Sequence, residues 1–131
     1  MKFRDGGIEF TRELARFGDD FRLLSRFART FIDEAPLRIE AIRQGLVGRN
    51  DSAVRVAATD LADALRTMGA TETAAIAEEV AQCGRDRDFV RAKFLVFALR
   101  RNIKELVSVM RTWPPVAAAD AAQRARTLQS A

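Results

Sequence analysis

A chain of 131 residues, 48% hydrophobic and 31% charged with seven Gly and three Pro, is large enough for one core that folds without metal or disulfide staples, and too apolar for a disordered segment. One cysteine, Cys83, and no histidine exclude an internal disulfide and a Cys/His zinc site. The net charge of +4 is small and its acids are interleaved with its bases, which predicts a mixed-sign solvated surface rather than a nucleic-acid footprint.

Along the chain, Ile8, Phe10, Leu14 and Phe17 recur at near-helical spacing before Gly18, predicting a short first helix. Asp19 or Asp20 can cap a second, with Phe21, Leu24, Phe27 and Phe31 on its inward face. Pro36 lacks an N–H and disfavours helix at Ala35, so the second helix is expected to stop or kink near Asp33 to Ala35, with a third starting at Pro36 in its first turn and burying Ile39, Ile42 and Leu46.

Gly48 is the expected stop, and Asn50 or Asp51 caps the next helix, whose core positions are Val54, Ala57, Ala58, Leu61, Ala64, Leu65 and Met68. Gly69 ends it and Thr71 is placed to cap another that carries Ile76, Val80 and Cys83 as far as Gly84. Asp86 or Asp88 opens the last long helix, where Ala92, Val96, Leu99, Ile103, Leu106, Met110 and Trp113 form a heptad seam. Pro114 and Pro115 end it, and 114–131 reads as a tail or linker of weak helical periodicity, leaving 1–113 as the folded domain. The fold class predicted is all-α, an antiparallel four-helix bundle with a short N-terminal helical cap.

The stretch from Ala58 to Ala70 carries the functional signal. It resembles the phosphotransfer helix of histidine-containing phosphotransfer (HPt) domains, which reads His-x-Leu-Lys-Gly-Ser, four further residues, then Gly-Ala. Leu61, Gly69 and Ala70 match, while Thr59 stands at the histidine position, Ala62 at the lysine, Asp63 at the glycine and Ala64 at the serine. The resemblance extends over most of the chain outside the tail, and implies a module that docks a response-regulator receiver domain or a sensor histidine kinase in a two-component phosphorelay. In that family an exposed imidazole takes phosphate from a receiver aspartate, the lysine offsets phosphate charge and the glycine leaves room for the partner's loops.

The substitutions remove that chemistry. A threonine hydroxyl is a poor nucleophile without an activating base, and Asp63 adds negative charge where phosphate would sit while Ala62 withdraws the cation. Arg55, Thr59, Asp63 and Arg66, spaced by 3 or 4, share an outward face, and Asp63 can pair with Arg55 or Arg66. That face is either an ordinary solvated surface or a docking surface to which Ala62 also belongs. The expectation is a noncatalytic pseudo-HPt that binds its partner as decoy, scaffold or modulator; the alternative is a self-associating structural bundle.

Other chemistry is weakly represented. Cys83, beside Gly84 and Arg85 at a helix C-terminus, sits where the dipole disfavours a thiolate and is assigned a structural role. No Glu-x-x-His spacing and no phosphate-binding glycine loop occurs, so neither metal nor cofactor is expected. The last helix also carries Val90, Phe94, Phe97 and Ala98 off its seam, to be covered by the N-terminal Phe cap or by a second subunit. No apolar run reaches the roughly 18 residues of a membrane span, and no signal-peptide pattern opens the chain, so a cytoplasmic location is expected.

Overall fold

A computed structural model describes residues 21–130 as five helices: α1 Phe21–Val47, α2 Asp51–Thr67, α3 Thr71–Arg85, α4 Phe89–Met110 and α5 Pro114–Ser130. The expected cap helix over 8–17 lies outside the described residues. α1 to α4 form the bundle: α2 packs between α1 and α3, and α4 closes the ring against α3 and α1, so α2 and α4 face each other diagonally across the core. Most positions of the predicted stripes are buried, while Phe27, Ala64, Ile76 and Trp113 are half-buried against the same core. Leu24, Phe31, Ile39, Ile42 and Leu46 of α1 meet Val54, Leu61, Leu65 and Met68, and the α4 seam from Ala92 to Met110 closes over them.

Three consecutive turns repeat one device. In Gly48-Arg49-Asn50, Met68-Gly69-Ala70 and Asp86-Arg87-Asp88 the middle residue is left-handed, with φ of 52°, 77° and 55°. In each, the next residue's N–H reaches back to a carbonyl five positions earlier: Asn50 to Gly45 at 2.8 Å, Ala70 to Leu65 at 2.9 Å and Asp88 to Cys83 at 2.9 Å. Each is a Schellman closure, which satisfies late helical carbonyls and reverses the chain in three residues. The entering helix is then capped by Asn50, whose Oδ1 accepts from Ala53 N at 3.0 Å, and by Asp88, whose Oδ1 accepts from Arg91 N at 3.2 Å.

Several expectations need correction. Pro36 lies inside one continuous α1, so the helix does not stop there and no separate helix opens at it. It sits on the solvent side, where water can hydrate the carbonyl that loses its donor, while Phe31, Ile32, Ala35, Ile39 and Ile42 anchor the turns on either side to the same core. Thr71 is the first residue of α3 rather than its cap; Ala70 holds the cap position and offers no side-chain bond. Residues 114–130 are helical, with Val116 fully buried against the core and 121–129 exposed.

Two glycines set how close the helices come. A Cβ on Gly45 of α1 would lie 2.9 Å from Val54 Cγ2 and 3.1 Å from Val54 N, and one on Gly84 of α3 would lie 3.1 Å from Asp51 O and 3.3 Å from Arg55 N. Val54, with no exposed surface, is therefore gripped from both sides at the start of α2. Backbone atoms cannot yield as a side-chain tip can, so Gly84→Ala is expected to destabilise the bundle by about 1–3 kcal/mol. Gly48→Ala, which meets only Gln44 O at 3.5 Å, should stay within about 0.5 kcal/mol. Paired urea titrations measure the contrast, and equal effects at the two sites would remove the close-packing account.

Candidate functional site

The outward face of α2 is what the buried face leaves over. Val54, Ala57, Ala58, Leu61, Leu65 and Met68 point inward, so Val56, Thr59, Asp63 and Arg66 form the opposite ridge, with Arg55 at its edge. Arg55, Asp63 and Arg66 are exposed and Thr59 is half-buried. Ala62 is different: it is fully buried on the side turned to α3, at the foot of the groove beside Thr59 rather than on the ridge.

The expected pairing of Asp63 resolves onto Arg66, whose Nη2 lies 2.6 Å from Asp63 Oδ1, and the same guanidinium bridges to Glu78 of α3. Arg55 makes no ion pair among the described residues. On the other flank Arg38 of α1 reaches Asp60 at 3.3 Å and Glu34 at 3.9 Å. The ridge is thus bordered by one charged crossing to α1 and one to α3. Exposed pairs of this kind contribute at most about 1 kcal/mol each, so they orient side chains more than they hold the helices.

Thr59 opens onto a groove of about 690 Å³ between α2 and α3, walled by Arg66, Glu78, Gln82 and Arg85. Its hydroxyl has no hydrogen-bond partner among the described residues, so no base is placed to take its proton. Of the two cations in the wall, Arg66 is committed to two carboxylates, while Arg85 donates to the Gln82 amide oxygen at 3.2 Å. A phosphoryl group on Thr59 would have Asp63 one turn ahead of it and Arg55, with no ion pair among the described residues, one turn behind.

Two parts of this surface were not recognised from sequence. Val56 is 54% exposed on the same ridge, and its signal is an apolar residue off the α2 stripe. The α3 wall of Glu78, Gln82 and Arg85 depends on which helices become neighbours, which no local pattern encodes. Among the described residues no group of three or more His, Cys, Asp or Glu could hold a metal ion, and no helix is long and apolar enough to cross a membrane.

Cys83, the other nucleophile, is 2% exposed inside α3, and burial pushes its thiol above the ordinary value of 9.0. Because the unfolded chain loses this proton first, the contribution is present below about pH 9 and disappears as pH rises past it. Comparing the pH dependence of unfolding for the parent and Cys83→Ala should show a steeper alkaline loss in the parent; identical slopes would mean the thiol is not desolvated.

With this geometry in place, comparison with known proteins adds one finding. Residues 26–111, about two thirds of the chain, match the sequence model of the Hpt domain. No curated protein and no solved structure matches the chain.

Proposed function

From the premise that this chain belongs to the Hpt domain family of phosphorelay signalling, we propose that it is a noncatalytic member that binds a receiver domain or sensor kinase through α2 without carrying phosphate. The observation that supports this most directly is Thr59 at the phosphoacceptor position of a chain with no histidine, next to Asp63 held by Arg66. A receiver that docks over this ridge presents its aspartyl phosphate to a hydroxyl without a base, beside a carboxylate already paired with Arg66 and with no lysine next to it. Binding and transfer are thereby separated. The partner is occupied while its phosphate stays in place, which is what a decoy, scaffold or modulator requires.

The docking surface in this reading comprises Arg55, Thr59, Ala62, Asp63 and Arg66, with Val56 as an apolar contact. Ala62, fully buried, acts in this reading by underlying the groove and not as a direct contact. Residues 1–113 carry the function, and 114–131 extend from it as a tail or linker whose first turn is pinned by Val116. Its place is the cytoplasm, alongside the relay proteins it engages.

Incubation with a receiver carrying radiolabelled phosphate should leave the chain unlabelled while fluorescence titration detects the complex, and acid-labile phosphate on the chain would overturn the noncatalytic reading. Thr59→Trp should weaken receiver binding at least tenfold at unchanged thermal stability, since the ridge is outside the core. The triple variant Thr59→His, Ala62→Lys, Asp63→Gly is expected to accept phosphate. If it folds and docks but accepts none, the loss of chemistry lies beyond these three positions; if it folds and neither docks nor accepts, the α2 face is not a receiver surface.

A further inference from the structure

On the side of the bundle opposite the Thr59 ridge, α4 presents Val90, Phe94 and Phe97 at 70%, 75% and 73% exposure. Spacings of four and three put them on one stripe. Phe97 continues into a groove of about 280 Å³ between α4 and α1, where Val47, itself 79% exposed, Leu46 and Val96 supply apolar surface. Isolated exposed apolar residues are ordinary, whereas a continuous stripe running into a concave apolar groove marks an interaction surface.

Cations outnumber acids around this stripe, where Glu40 lies in the groove wall and Glu105 follows Lys104 on α4. Lys93, Arg100, Arg101 and Lys104 are exposed and make no ion pair among the described residues, in contrast to Arg91, which is tied to Glu79 at 3.1 Å. The acid on the groove's α1 wall, Glu40, is satisfied locally by Arg43 at 3.4 Å and Gln44 at 3.0 Å. The result is an apolar strip with unneutralised cations along its flanks.

We propose that this α4 face docks an acidic amphipathic helix of a partner protein, with large apolar residues at i, i+3 or i+4 and i+7 entering the stripe and groove and Asp or Glu meeting Lys93, Arg100, Arg101 and Lys104. The other occupants fit less well. A second copy would set four cations against the same four cations. The chain's own stretch at 8–17 balances Glu9 and Glu13 against Arg12 and Arg16, so it brings no net negative charge to these cations. A flat lipid surface cannot follow the concave wall that α1 supplies beside Phe97.

The test uses the full chain and two synthetic helical peptides with identical Leu and Phe positions, one flanked by Glu and one by Lys, read by fluorescence anisotropy. The Glu peptide is expected to bind at least tenfold tighter than the Lys peptide. Phe94→Ala with Phe97→Ala should weaken it at least tenfold without shifting the melting temperature, and Lys93→Glu with Arg100→Glu and Arg101→Glu should invert the preference. Thr59→Trp should leave it unchanged, which separates this face from the α2 ridge and keeps its fate independent of the receiver reading. Equal binding of the two peptides, no binding of either, or indifference to the Phe pair overturns the proposal. So does tighter binding to phosphatidylserine vesicles than to the Glu peptide, or a dimer in sedimentation that the Phe pair abolishes.

Discussion

The grip on Val54 fixes more of this molecule than any other contact. Gly45 and Gly84 approach it from two helices, and neither approach tolerates a Cβ without displacing a backbone atom or Val54 itself. Close contact at one end of α2 determines the distance of α1 and α3 along its length, because rigid helices joined by three-residue turns cannot diverge at one end without tilting at the other. The spacing of Thr59 from the α3 wall follows from that geometry. The ion pairs Arg38–Asp60 and Arg66–Glu78 then form across gaps the packing has already set.

The same end of the bundle carries a second constraint. Arg49 and Arg87 occupy left-handed turn positions that glycine fills at Gly69, and their guanidinium carbons lie 4.9 and 5.2 Å from the centroid of the Phe89 ring. A left-handed L-residue costs about 1 kcal/mol, and a cation over an aromatic face returns about 0.5–1 kcal/mol. Arginine is therefore tolerated at these turns because its own side chain offsets the strain, while Arg87 additionally meets Asp51 at 3.4 Å. Both loops converge on one ring, which ties the α1–α2 connection to the α3–α4 connection although the two are distant in sequence.

What could be read from the sequence divides along the same lines. The α4 seam, the α2 core and the caps at Asn50 and Asp88 are local patterns, a period or a single side chain near its own backbone, and they were legible. The continuity of α1 through Pro36 is not legible locally, because the burial on both sides overrides that residue's intrinsic preference. The helix after Pro114 was undervalued because one anchor, Val116, makes little periodic signal. Ala62 was placed with its ridge neighbours because its smallness, which lets α3 approach, carries no apolar signature of its own. The α3 wall of the Thr59 groove and the clamp on Phe89 join residues far apart in sequence, and only the assembled bundle reveals them.

The positions that retain the family's motif and those that have lost it have different physical duties. Leu61 is fully buried, Gly69 adopts φ 77°, and Ala70 is fully buried and closes the Schellman turn onto Leu65. Each is required by the bundle whether or not anything is ever phosphorylated. Thr59 and Asp63 lie outside the core, where side chains change with little effect on stability. A family match carried by helix periodicity, turn geometry and buried positions therefore follows the scaffold. It follows that membership establishes the scaffold, while the chemistry has to be judged from the ridge, where the Thr59 hydroxyl has no hydrogen-bond partner among the described residues and Asp63 is paired with Arg66.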